Sequence, residues 1–551
     1  MNEAAGAVSV GFGGLDWFTL GLFFVGLILI VWWVLRQKEE TSVDYFLAGR
    51  NAGWIAIGAS IFASNIGSEH LVGLAGTGAE TGMAMAHWEM HAWIILILGW
   101  MFVPFYDRSK VFTMPEFLEK RYSASSRTFL SVISLVSYIL TKVAVTVYAG
   151  GVVFKTVLGI DELWGIDFFW IGAVGLVVIT GLYTIFGGMK SVLYTSVLQA
   201  PVLIIGSLVI LVVGLVKLGG WGELESICGD QMRLIRPATD PKFPWTGVLF
   251  ASPIIGFWYW CTDQYIVQRT LSARNQQQAR RGAIFAGYMK LLPVFIFLVP
   301  GMIAYAMSQK GMIVLESSDQ AFPVLVATLL PAGFKGIVVG GLVAALMSSL
   351  GSLFNSSATL FTVDFYKKFR PQSSERHLVT VGRIATATVV ILGVVWIPVM
   401  KLIADVLYEY LQNVQSLIAP AIAAVFIMGV FSRWATAKAG FITLVTGFIL
   451  GMGRLVLMVV QNYLPEDGLL FKFVEVNWLH FCIFLFLFSI ALMVVVSLLT
   501  RKPSREQLVG LTYYSATPEH KAETRASWNQ WDVINSIFIV SVIVLFYIRF
   551  W

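Results

Sequence analysis

Apolar runs of about 20 residues recur along almost the whole chain, separated by short polar stretches. Each run, wound as a helix, is long enough to cross a hydrocarbon core of about 30 Å. Because lipid leaves no partner for free backbone groups, the pattern predicts a helical bundle of about fourteen spans rather than a barrel. They fall near 16–36, 54–79, 83–106, 128–158, 166–187, 191–217, 245–269, 281–309, 333–363, 381–402, 406–430, 438–461, 474–499 and 531–550. No Lys or Arg precedes the first run, WFTLGLFFVGLILIVWWVL, so it lacks the basic start of a secretory signal and is expected to be a retained helix.

Composition agrees. The 551 residues are 57% hydrophobic and 13% charged, with mean hydropathy +0.77, against roughly 25% charged in a soluble domain. If the N-terminus is outside, alternate loops collect about 25 of the 38 Lys and Arg, from Arg36, Lys38 and Arg50 through Arg108–Arg127 and Lys367–Arg383 to Arg501–Arg525. The net charge of +6 is therefore a topology signal and not a nucleic-acid footprint. Both termini are then expected outside. Three scattered cysteines, Cys228, Cys261 and Cys482, imply no disulfide framework. The polar interval 500–530 reads as a cytoplasmic linker, too short for a catalytic domain.

Against this apolar background certain positions stand out, because an ionisable group at membrane depth costs about 2.5–3.5 kcal/mol and marks a functional site by default. Glu69 and His70 lie in the second span, Glu89 and His91 in the third, Lys142 in the fourth, Asp263 in the seventh, Lys290 in the eighth and Glu409 at the start of the eleventh. The second span is interrupted by Asn65–Gly67, and in the seventh Pro253 and Gly256 precede the dense block FWYWCTDQY. Two interrupted spans in corresponding halves suit an inverted-repeat transporter with broken helices; each alone is also compatible with a simple kink. The segment LMSSLGSLFNSSATLFT places Ser348, Ser349 and Ser352 where they can share a helix face, as oxygen donors for a hard cation or as interhelical hydrogen bonds. His87 and His91 read as packing or interfacial residues, and Lys142 as paired within the bundle.

The segments ASIFASNIGSEHLVGLAGTGA, TGLYTIFGGMKSVLYT, WYWCTDQYIVQRTLSA, YMKLLPVFIFLVPGMIAY, LMSSLGSLFNSSATLFTVDFY and YLQNVQSLIAPAIAAVF resemble, in order, those of the sodium/glucose cotransporters of the sodium:solute symporter family. The resemblance runs from about residue 42 onward. It implies an all-α LeuT-type fold of two inverted five-helix repeats with extra flanking helices. The implied divisions are 1–50, external segment and leading helix; 51–430, transport core; 431–499, two trailing helices; 500–530, linker; and 531–551, last helix. It also implies a substrate site of Asn65, His70, Glu89, Tyr259, Trp260, Lys290 and Gln412, with Tyr259 as inner gate and Leu74, Trp88 and Tyr408 as outer gate. The coupling sodium ion would meet the carbonyls of Ala63, Ile66 and Ala345 and the hydroxyls of Ser348 and Ser349. Two-sodium relatives carry an acidic residue where this chain has Ser196, and a hydroxyl where it has Gly351, so one sodium per sugar is expected. Gly256 and Glu69 also depart from the pattern and would reshape the pocket. A pairing of Glu69 with His70 is one expectation, and a bland ion pair between Lys290 and Glu89 is another.

The implied activity is sodium-coupled symport of a neutral hexose across a plasma membrane, with a bacterial inner membrane favoured by the lack of a long external loop. A polyol, uronate or sialate symporter and a sugar sensor without net transport are the alternatives. An enzyme is not indicated, since no nucleophile elbow, phosphate loop or metal-ligand spacing is present in the sequence. Oligomeric state leaves no mark in it.

Overall fold

The computed structural model describes residues 12–37, 41–67, 69–158, 160–331, 333–403 and 407–551. It is nearly all helix; two-residue strands at Glu162–Leu163 and Ile166–Asp167 form the one sheet among the described residues. Ten of the described helices are long and apolar enough to cross a membrane. Several are too long for one crossing: Phe168–Leu218 has 51 residues, about 75 Å if straight. It is broken at Gly188, where φ is 47° and a Cβ would stand 2.4 Å from the Tyr45 carbonyl oxygen, so only glycine fits the bend. The fourteen predicted runs thus correspond to fewer continuous helices.

The two helix breaks that shape the centre differ from each other. The helix Trp54–Asn65 ends where Ile66 turns extended (φ −80°, ψ 109°). The chain resumes as a wide turn at Glu69–Leu74. The second break does not fall at Pro253 and Gly256, as the sequence suggests; both lie inside the helix Trp245–Phe257. Proline is tolerated within membrane helices because neighbours satisfy the freed carbonyl. The backbone instead opens at Asp263 (ψ 126°), whose carboxylate accepts from Tyr265 N and so starts the next helix, Gln264–Leu271.

The serine-bearing helix Phe334–Thr359 runs through the middle of the bundle and is buried almost throughout. At its N-terminus the Asp16 carboxylate of the leading helix Gly14–Leu35 accepts from Gly333 N (2.6 Å) and Gly336 N (3.2 Å), placing an anion on the positive end of the helix. At the other end Asp364 receives Arg127 (2.6 Å), Thr113 (2.8 Å) and Ser131 (2.7 Å), while Arg127 also reaches Glu119 (2.5 Å). Backbones elsewhere approach to contact: a Cβ on Gly301 would lie 1.9 Å from the Ala75 carbonyl oxygen.

The interval 500–530 is more than a linker. Its helix Pro518–Ala526 takes the Arg108 guanidinium on the His520 carbonyl (2.8 Å) and Thr524 (2.5 Å), and Ser527 receives Arg280. The last helix, Gln530–Arg549, is tied at one end by Arg281 to Asp532 (3.0 Å) and at the other by Tyr547 to His87 (2.7 Å).

Candidate functional site

A small cavity of about 50 Å³ lies between the two breaks, and Asn65, His70, Glu89, Tyr259, Trp260, Lys290 and Gln412 all line it. The broken first helix supplies Asn65, from its last residue before the break, and His70, from the wide turn that follows it. Glu89 and Lys290 form a buried ion pair, Nζ to Oε2 2.5 Å, at 2% and 4% side-chain exposure. His70 Nε2 lies 3.4 Å from the other Glu89 oxygen and 3.3 Å from Asn65 Nδ2. The imidazole therefore turns to Glu89, one span away, and among the described residues it makes no hydrogen bond to its sequence neighbour Glu69.

Five buried polar atoms around this cavity have no hydrogen-bond partner among the described residues: His70 Nδ1, Trp88 Nε1, His91 Nε2, Tyr259 Oη and Gln412 Oε1. An unsatisfied buried polar group costs about 1–3 kcal/mol. Five facing one space mark a place where something polar completes them. At about 50 Å³ the space holds a few waters, so a sugar ring requires the walls to move apart.

The aromatic block forms one wall. Trp260 packs edge-on against Tyr259, ring centroids 4.9 Å apart, and Lys290 Nζ lies 5.4 Å from the Trp260 ring centre. Beneath Tyr259, Lys142 Nζ is 4.7 Å from the ring centre and pairs with Asp263 at 2.8 Å. Tyr138 donates its hydroxyl to the same carboxylate. Asp263 thus serves both as helix cap and as the anion that holds Lys142.

Of the expected outer gate, Trp88 covers the cavity and is itself stacked on Trp478, 5.9 Å between centroids, with Phe243 edge-on at 6.3 Å. Leu74 is fully buried but is not part of the cavity wall. The side chains of Tyr408 and Glu409 lie outside the described residues. Sequence reasoning missed His91 and Gln415, which also line the cavity, and the Trp478 lid. His91 sits against Gly256, where a Cβ would come 2.7 Å from its Nδ1, so the glycine that departs from the family pattern makes room for this histidine.

Of the expected cation ligands, Ala63 and Ile66 flank the first break, and Ala345, Ser348 and Ser349 lie on the serine helix. Among the described residues no hydrogen bond ends on the Ala63 or Ile66 carbonyl, since His70 N and Leu71 N both bond Gly67 O. Ser349 of the serine helix faces this turn: a Cβ on Gly67 would stand 3.2 Å from its Oγ. Ser348 Oγ is 3.2 Å from Ser196 Oγ, which is 3.4 Å from Ser60 Oγ. Ala345 lies one turn before them on the same helix. Carbonyl and hydroxyl oxygens of this kind are the hard donors that an alkali cation takes. Ser196 Oγ bonds the neutral hydroxyls of Ser60 and Ser348 and the Val192 carbonyl.

Broken helices whose side chains line a polar cavity at the centre of a membrane bundle fit a membrane transporter of ions and small solutes. The chain belongs to the sodium:solute symporter family, whose model matches residues 45–447. It is 37% identical over 536 residues to the bovine (Bos taurus) sodium/myo-inositol cotransporter 2, covering 90% of this chain and 78% of that protein. It is 35% identical over 549 residues to zebrafish (Danio rerio) sodium/glucose cotransporter 4, covering 92% and 82%. Among solved structures it resembles a sodium-coupled sialic acid symporter in an outward-open, substrate-bound state, with a TM-score of 0.72 at 19% identity, covering 90% of this chain and 99% of that one. The fold is accordingly LeuT-type, and the protein is a multi-pass membrane symporter that couples sodium to a small solute, not an enzyme.

Proposed function

We propose that the protein carries a neutral polyhydroxylated ring, a hexose of the glucose or galactose class, together with one sodium ion by alternating access. The observation that supports this most is the set of five unpartnered polar atoms facing one cavity beside the Glu89–Lys290 pair. A pyranose presents hydroxyls that each donate and accept. Glu89 accepts from one, Lys290 donates to another, and Asn65, His70 and Gln412 address the rest. Trp260 and Tyr259 cover the C–H face, Tyr259 and Trp88 closing the inner and outer sides. An acidic substrate sits poorly beside Glu69 and Glu89, which argues against a uronate or sialate.

A second reading, a cyclic polyol, draws support from the relatives named for myo-inositol. Its hydroxyls meet the same donors and acceptors. The coupling logic is common to both: Ala63 and Ile66, the ion's carbonyl ligands, flank the same unwound turn that carries Asn65 and His70. Binding at either side fixes the turn for the other, and linkage makes the effect reciprocal. Ala345, Ser348 and Ser349 complete the ion's shell, and Ser196 in place of a carboxylate leaves no fixed charge for a second sodium.

Arg- and Lys-rich loops on the cytoplasmic side, external termini and a bacterial inner membrane complete the proposal; reporter fusions after residues 127 and 551 test the orientation. The deciding experiment is uptake of labelled glucose, galactose and myo-inositol into proteoliposomes under an inward sodium gradient, with potassium as control, for wild type and Gln412→Ala. Sodium-dependent uptake lost in the variant supports the site. Solute-evoked current without uptake would point to a sensor instead.

A further inference from the structure

Tyr265 has no role so far, yet it touches both halves of the ion site. It lies in the first turn of the helix Gln264–Leu271 and is 2% exposed. Its hydroxyl donates to the Ser64 carbonyl, which lies in the chain between Ala63 and Ile66, and lies 3.0 Å from Ser349 Oγ. A phenol has one proton. With that proton on Ser64, the contact to Ser349 runs the other way, and the serine O–H donates to Tyr265 Oη.

The direction matters, because a hydroxyl ligates a cation through its lone pairs. With its proton held on Tyr265, Ser349 turns those lone pairs toward the unwound turn, where Gly67 faces its Oγ. Arg269, one turn further on, supports the arrangement: it is fully buried, donates to Ser64 Oγ at 3.1 Å and lies 5.3 Å from the Tyr265 ring centre. Lys142 flanks the ring at 4.6 Å, and Asp263 accepts from Tyr265 N.

We propose that Tyr265 is a positioning residue for sodium, fixing the proton of Ser349 so that its oxygen is presented to the ion, and that it thereby ties sodium affinity to the second broken helix. The inference rests on Ser349 being an ion ligand. Tyr265→Phe removes one oxygen and leaves the ring packing. The half-saturating sodium concentration for solute uptake is expected to rise about 2- to 12-fold, the range of one hydrogen bond. Solute affinity at saturating sodium should stay unchanged. Ser349→Ala should weaken sodium at least as much, and the double variant should be no worse than Ser349→Ala alone.

The measurements are sodium-activation curves in proteoliposomes and equilibrium solute binding to purified protein, with melting temperature to check the fold. Unchanged sodium activation in Tyr265→Phe, while Ser349→Ala weakens it, overturns the role of Tyr265 and leaves the ion site standing. No effect from Ser349→Ala removes the ion-site reading itself. Additive losses in the double variant, or equal loss of sodium and solute affinity, would mean that Tyr265 acts by packing, and would also overturn the proposal.

Discussion

Replacing Lys290 separates a strut from a binding group. Lys290 Nζ lies 2.5 Å from Glu89 Oε2, and both side chains are at most 4% exposed. Lys290→Met leaves the carboxylate buried with only the His70 contact at 3.4 Å. An uncompensated charge of this kind costs about 3–5 kcal/mol of stability. Removing both charges, as Glu89→Met with Lys290→Met, restores a chemically consistent interior and is expected to recover most of that loss. Solute binding has no such remedy. Each charge-assisted hydrogen bond to a hydroxyl is worth about 1.5–3 kcal/mol, so each lost bond weakens binding about 10- to 150-fold at 1.4 kcal/mol per decade. The assay pairs melting temperature with equilibrium binding of labelled glucose and myo-inositol at saturating sodium, for both single variants and the double. Melting should fall in each single variant and return in the double, with binding lost in all three. A double variant that binds like wild type would reduce the pair to a structural tie and refute its role in recognition.

Further outcomes follow from other parts of the molecule. Ser196→Asp puts a carboxylate against Ser60 and Ser348; sodium activation should become steeper and the measured stoichiometry rise from one toward two, whereas a wild-type stoichiometry of two would defeat the single-ion reading. Gly301→Ala drives a Cβ to 1.9 Å from the Ala75 carbonyl, backbone against backbone, and is expected to cost about 1–3 kcal/mol or more, read as a lower melting temperature; an unchanged value would contradict the close crossing. Burial alone would raise the Glu119 carboxyl, but hydrogen bonds from Arg127 and Lys368 hold it below its ordinary value. A depressed carboxyl stabilises above its unfolded pKa and loses that contribution as pH falls through the folded one. Glu119→Gln should therefore melt lower than wild type at neutral pH and lose less on acidification below about pH 4, near the unfolded carboxyl value.

The family, and the residues of a candidate site, were readable where polar residues violate an apolar background. Asn65, Gly67 and His70 inside a membrane-length run announced the first break, and the cavity gathers all seven residues carried over for the substrate site. The second break was misplaced because proline is the strongest local signal, while the feature that opens the backbone is a carboxylate able to cap the next helix, Asp263. His91 looked like an isolated amphipathic side chain; its inward aim depends on the space left by Gly256, from another helix. The stacking of Trp88 on Trp478, nearly 400 positions along the chain, has no local signature at all. The partner of His70 was likewise a tertiary choice, Glu89 across a helix interface rather than Glu69 beside it.

Asp16 sets a condition on biosynthesis. It is synthesised 317 residues ahead of the amide it binds in the finished protein, Gly333 N. At about 5–20 residues per second that interval lasts between about 15 and 60 s. Through that time the Asp16 carboxylate has only its local bond, from Gly13 N at 3.0 Å, and its other oxygen stays hydrated. The contact between the two helices cannot form until the serine helix is made, so the leading helix does without that anchor until then.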